Sequence, residues 1–194
     1  MKKGYIEGIT GGMFSGKSSE LIRIIKEARS EGNNVIVFNY SKDTRYGINS
    51  ISSHDMQTIE AIPTDTIEEI FAQIAIKENN NERVDMVCID EAQFFGEKLI
   101  LACETLAEIG KNVVISGLDQ DFRGEPFAPM DILMAKADKV KKLNAKCSVC
   151  GGIASRSQRL IKGKPAHYND NIIQIGAKEM YESRCRNCHI VPKD

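Results

Sequence analysis

Long hydrophobic runs are missing from this chain of 194 residues. No stretch approaches the roughly 18 consecutive apolar residues that a membrane-spanning helix needs. The opening Met1-Lys2-Lys3-Gly4-Tyr5-Ile6-Glu7-Gly8 breaks any signal-peptide core with Glu7 and its glycines. The expectation is a cytoplasmic protein with no membrane partner. Internal repeats are lacking too, and low complexity is confined to Asn79-Asn80-Asn81, which argues against a solenoid, a fibre or a disordered tail. Net charge is almost absent, at −1, but the total hides a split. Residues 139–194 hold 12 Lys and Arg against 4 Asp and Glu, whereas residues 1–138 hold 14 against 23. A basic C-terminal piece suggests an anionic partner, either nucleic acid or a small phosphorylated ligand. Aromatic residues clustered among the basic ones, and a recognisable reading helix, are both wanting, so no nucleic-acid partner is expected.

Six cysteines are present, and in a reducing compartment their spacing matters more than their number. Cys88 and Cys103 stand alone and read as buried fillers. His54 and His167 lack partners at metal-ligand spacing. The first 120 residues alternate short β-branched runs with helix-period stretches, the pattern of an α/β domain with a largely parallel sheet. Residues 5–10, 34–39, 84–90 and 112–117 are the expected strands. Residues 18–30, 67–71 and 99–109 are the expected helices, with Gly32 and Gly110 at C-cap positions. Beyond Lys139 the pattern turns to cysteine pairs, glycines and basic residues. That shift divides the chain into an α/β domain, residues 1–140, and a small cysteine-bearing domain, residues 141–194.

Three motifs carry chemistry. After the first expected strand comes Gly11-Gly12-Met13-Phe14-Ser15-Gly16-Lys17-Ser18, which fits G-x-x-x-x-G-K-[ST] and leads straight into a helix. Its glycines let successive backbone N–H groups face phosphate oxygens, Lys17 adds charge at the β- and γ-phosphates, and Ser18 offers a hydroxyl to Mg²⁺. Such a P-loop needs a carboxylate at the end of a buried strand, expected beside the P-loop strand. Met86-Val87-Cys88-Ile89-Asp90-Glu91 supplies it, with Asp90 for Mg²⁺ and Glu91 free to act as a base. The third motif is Cys147-x-x-Cys150 and Cys185-x-x-Cys188, separated by 34 residues. Four such thiolates can close a tetrahedron around Zn²⁺ and pin the ends of a long loop. His189 is the alternative to Cys188 as fourth ligand.

Together with Lys42-Asp43-Thr44-Arg45-Tyr46, Ser53-His54-Asp55, Ile89-Asp90-Glu91-Ala92-Gln93-Phe94-Phe95 and Gly117-Leu118-Asp119-Gln120-Asp121-Phe122, these motifs form an ordered set. The set resembles the type II, or cytosolic-type, thymidine kinases along most of the chain. The resemblance implies a P-loop α/β body with a zinc-binding lasso, and transfer of the ATP γ-phosphate to the 5′-hydroxyl of thymidine or deoxyuridine. It further implies salvage of pyrimidine deoxynucleotides for DNA synthesis, a homotetramer, and feedback inhibition by dTTP. By position, Glu91 matches the general base, Lys17 and Arg45 the cations on the transferred group, and Ser18 with Asp90 the Mg²⁺ site. The nucleotide-binding set would run from Gly11 to Ser18 and from Asp90 through Glu91, Ala92 and Gln93. Phe122 matches an aromatic that packs on thymine, with Met13, Phe94 and Leu118 as apolar lining. The lasso would contact the base through Ser157, Ile172, Ile173, Gln174, Ile175, Gly176 and Tyr181. Gln174 stands where the family usually carries an apolar residue.

Overall fold

The computed structural model describes residues 2–42, 50–52, 57–173 and 180–193. Arg45 lies outside them, as do Ser53, His54 and Asp55 and the lasso residues Gln174, Ile175 and Gly176. The chain opens with β1 (Ile6–Gly11), α1 (Lys17–Ser30) and β2 (Val35–Tyr40). The short strands β3 (Ser50–Ser52), β4 (Thr58–Glu60) and β5 (Ile62–Thr64) follow, then α2 (Ile67–Asn79) and β6 (Met86–Ile89). A 3₁₀ turn (Ala92–Phe94) leads to α3 (Lys98–Glu108), β7 (Asn112–Gly117), α4 (Met130–Lys136) and β8 (Lys139–Leu143). The C-terminal piece adds β9 (Ala145–Lys146), β10 (Ile153–Ala154), β11 (Arg156–Ile161), β12 (Lys164–Pro165) and β13 (Met180–Arg184).

Among the described residues the central sheet has six strands in the order β5-β2-β6-β7-β1-β8. Every neighbouring pair in it is parallel. A parallel sheet is stable when both faces are covered, and the strand side chains divide accordingly. Val87 and Ile89 join Val113 and Ile115 in one core with α2, α3 and α4, while Met86, Cys88 and Val114 join the α1 residues Leu21, Ile22 and Ile25 in the other. Each helix buries one stripe at helical spacing, as in Leu99, Ala102, Cys103 and Leu106 of α3. Cys88 and Cys103 are fully buried, one in each core, and burial pushes both thiols up, Cys103 to about 12.

The helix starting at Ile67 runs on to Asn79, beyond the short stretch expected from the sequence. Thr66 caps it by accepting from Glu69 N–H at 3.2 Å, and Ile70 and Ile74 continue its buried stripe. Gly32 and Gly110 end α1 and α3 with φ of 85° and 91°, a backbone region that favours glycine. The sequence pattern did not give β5 and β8, the two edge strands. β8 runs across position 140 and pairs with β1, so the sheet extends to Leu143 before the cysteine-bearing piece begins. Its lysines also account for part of the charge split: Lys141 pairs with Glu20 at 2.9 Å and Lys142 with Asp119 at 2.5 Å. Beyond it, β11 pairs antiparallel with β12 and β13, and β9 with β10.

Candidate active site

The P-loop closes the C-terminal end of β1. Gly16 sits at the α1 N-cap with φ 86°, and no side chain caps the helix there. The first-turn N–H groups and the positive end of the helix dipole are thus left for an anion. Lys17 Nζ donates to the Gly12 carbonyl at 2.8 Å, and Ser15 Oγ donates to the same oxygen at 2.8 Å, which keeps the loop curled. Phe14 takes a left-handed φ of 63° and is exposed, whereas Gly11 and Gly12 are buried. A groove of about 390 Å³ lies alongside, lined by Ser15, Gly16, Ser19, Arg23 and Gln57 among others.

Asp90 does not end the strand beside the P-loop strand, as the motif led us to expect, because β7 lies between β6 and β1. The first turn of α1 bridges that gap: Ser18 Oγ stands 3.5 Å from Asp90 Oδ2. A hydroxyl and a carboxylate at this edge are the hard oxygen donors that Mg²⁺ takes alongside phosphate and water, so the residues fit that ion. Asp90 Oδ1 accepts the Glu91 N–H at 3.0 Å. Glu91 itself adopts φ 52° and ψ 39°, a left-handed conformation that costs a non-glycine residue about 1 kcal/mol or more. This twist sends two successive carboxylates in different directions.

Gln93 then fixes the second of them. Its Nε2 donates to Glu91 Oε2, and its Oε1 accepts the Leu118 N–H at 3.0 Å. The side chain expected at the nucleotide is thus engaged within the protein, and Ala92 is fully buried in the core. The Gln93 bridge was not legible in the motif. Its one sequence signal is Gly117 at the end of β7, where a Cβ would come within 2.5 Å of Gln93 Oε1. Phe94, half-buried, packs on Tyr40 with ring centroids 5.2 Å apart.

The four cysteines converge although 34 residues separate the two pairs. The Sγ atoms of Cys147, Cys150, Cys185 and Cys188 all lie within 4.8 Å of one another, with Cys150 and Cys185 at 3.6 Å. Zn–S bonds of about 2.3 Å in a tetrahedron place sulfurs roughly 3.8 Å apart, so this donor set fits zinc. Backbone donors, the Cys150 amide foremost, hold the Cys147 thiol down at about 6, while the neighbouring thiol of Cys185 pushes Cys188 up to about 12. His189, the alternative ligand, turns elsewhere: its Nε2 is 2.8 Å from the Phe122 carbonyl oxygen. Burial is the main cause that lowers its pKa.

From the cysteine pairs, β11 returns to the P-loop. Ser157 Oγ accepts the Met13 N–H at 2.9 Å, and a Cβ on Gly12 would meet Ser157 and Arg156 within 3.5 Å. Two residues on, the fully buried Arg159 lays its guanidinium 5.1 Å from the Phe122 ring centroid and donates to the Asn171 carbonyl at 2.5 Å. Phe122 is only 3% exposed, a ring held by the C-terminal piece. Leu118 and Tyr181 are half-buried, and Ile172 and Ile173 are exposed beside Asn171.

The structure therefore brings together the P-loop, Asp90, Glu91, Leu118 and Ser157 around the C-terminal ends of the strands, where a parallel sheet carries its ligand crevice, and ties Phe122 to the residue that follows the last of the four thiols. A family model described as thymidine kinase matches residues 4–189, a span that takes in all of these groups, and the chain belongs to the thymidine kinase family.

Proposed function

We propose that this kinase transfers the γ-phosphate of ATP to the 5′-hydroxyl of thymidine, and of deoxyuridine, giving dTMP or dUMP and ADP for pyrimidine salvage and DNA precursor synthesis. The observation that carries the reading is the pair of adjacent carboxylates with separate surroundings. Asp90 faces Ser18 at the P-loop, while Glu91 is turned away by its left-handed backbone and braced by Gln93. Phosphoryl transfer is mainly positioning and electrostatic stabilisation, and this arrangement provides both. The P-loop amides and Lys17 hold the donor phosphates, and Arg45 adds charge to the transferred group. The groove lined by Ser15, Gly16 and Ser19 takes the donor's ribose and base. Ser18 and Asp90 hold Mg²⁺, which neutralises phosphate charge when bound. Glu91 accepts the proton of the 5′-hydroxyl as that oxygen attacks in line.

Met13, Phe94, Leu118 and Phe122 line the thymine. Ser157, Ile172, Ile173, Gln174, Ile175, Gly176 and Tyr181 close over it and keep out water, which would otherwise compete as acceptor. In this division the nucleotide-binding domain expected over residues 1–140 carries on through β8 to Leu143, and the zinc-clasped lasso takes the rest of the piece expected over residues 141–194. dTTP carries both a thymine and a triphosphate and so spans both halves, which supports feedback inhibition. We extend the reading to a cytoplasmic homotetramer. Four thiols held ready for zinc suit a reducing compartment.

The test is thymidine-dependent ADP release that purine nucleosides do not elicit. Glu91→Gln should lower kcat by a factor on the order of 10² to 10⁴ while nucleotide binding is retained. ATP hydrolysis indifferent to thymidine would overturn the assignment.

A further inference from the structure

We propose that His189 is a positioning residue for nucleoside binding, a strut that carries the rigidity of the four-cysteine clasp to Phe122. The inference rests on the reading of Phe122 as a wall of the thymine pocket.

The strut is anchored at the clasp. His189 follows Cys188 directly, and the backbone N–H groups of both donate to the Cys185 carbonyl, at 3.0 and 3.1 Å. The next residue, Ile190, is gripped from both sides by the fully buried Gln158: its N–H donates to Gln158 Oε1 at 2.8 Å, and its carbonyl accepts from Gln158 Nε2 at 2.9 Å. With the backbone fixed on either side of it, the half-buried imidazole is set by the hydrogen bond at its far end. At its far end the ring meets the Phe122 carbonyl. A carbonyl can only accept, so Nε2 carries the proton and donates.

Phe122 is equally confined. The Asp121 carboxylate accepts the N–H groups of Arg123 at 2.8 Å and Glu125 at 3.1 Å, closing a tight turn around it. Arg159 of β11 lies against the ring. The His189 and Arg159 contacts on Phe122 thus both reach back to the clasp, the first directly and the second through β11 and its partner β13. Binding of a structural metal is folding free energy for the segment that supplies its ligands. The strut spends part of that order on the thymine wall, whereas the P-loop meets the C-terminal piece through a separate contact, Ser157 Oγ on the Met13 N–H, that does not involve His189.

The test compares His189→Ala, His189→Gln and Phe122→Leu in the full-length protein. Bound zinc, thermal unfolding, and KM for thymidine and for ATP are measured for each. His189→Ala should keep one zinc per chain and raise the thymidine KM roughly five- to tenfold, the effect of one part-buried hydrogen bond, with the ATP KM little changed. Gln can present its amide N–H near the place of the imidazole Nε2, so His189→Gln should recover most of that loss. Zinc lost together with the imidazole would make His189 a ligand and end the proposal, as would equal rises in both KM values. Thymidine KM unchanged in His189→Ala but raised in Phe122→Leu would overturn the strut alone. No change in Phe122→Leu would remove the reading of Phe122 on which the strut depends.

Discussion

Glu91 is held by its backbone and by Gln93 together. The left-handed backbone aims the carboxylate, and the carboxamide of Gln93 keeps it there while tying the turn to Leu118 at the end of β7. Gly117→Ala tests that brace without touching a charged group. The new methyl would press within 2.5 Å of Gln93 Oε1 and must displace it, so under the proposed role of Glu91 as base kcat should fall by about one to two orders of magnitude as its carboxylate loses its aim. The ATP KM should stay near its original value, and steady-state kinetics with both substrates checks the split. Ser157 is the second single residue with a defined task. Ser157→Ala leaves the Met13 N–H without its acceptor at the joint between β11 and the P-loop, at a cost of about 1–3 kcal/mol in urea unfolding.

Elements in this fold are set by where their apolar stripes point and by how their ends are satisfied. α2 depends on the cap more than its composition suggests. Thr66 accepts the Glu69 N–H, and the Glu69 carboxylate in turn accepts from Thr64 Oγ1 at 2.5 Å and from the Asp65 N–H at 3.2 Å. Thr66→Ala should therefore lower stability by about 1 kcal/mol in denaturant unfolding and leave zinc content and thymidine KM unaltered. β11 shows a second kind of element, valued for what it joins. Arg156, Ser157, Gln158 and Arg159 lie along it, and all four are buried. Their partners are Gln120 and Gly124, Met13, Ile190, and Asn171 with Phe122, so one short strand ties the P-loop, the loop after β7 and the clasp together.

Over the whole molecule, nucleoside binding under the proposed reading depends on metal and on pH. Zinc takes its ligands as thiolates, so protons compete with it and affinity falls as pH falls. The cluster's neighbours hold the Cys147 thiol down and push the Cys188 thiol up, so binding must displace at least the proton held at Cys188. Zinc affinity should therefore rise with pH through the neutral range and fall as the thiols protonate. Titration against a competing chelator, with proton release followed by an indicator, checks the sign. Stripping the metal at neutral pH should weaken thymidine binding before ATP binding, read by calorimetric titration of each ligand. The P-loop, the carboxylate pair, the cysteine pairs and the four inner strands were legible in the sequence because each rests on local spacing: glycines around a lysine, a hydrophobic run closing in acid, two C-x-x-C knuckles. β8 escaped notice because its lysines disguise an edge strand whose sheet contact is backbone hydrogen bonding to β1. The place of β7 between β6 and β1 escaped for a similar reason, since strand order is a property of pairing and leaves no mark on either strand. The sequence by itself determined which groups are available, with their types and local order. Only the tertiary structure decided that Gln93 serves Glu91, that Ser157 serves the P-loop, and that His189 serves Phe122 and stays off the metal cluster. Those pairings join residues brought together by burial of the two cores, and hydrogen-bond partners chosen by packing cannot be read from spacing along a chain.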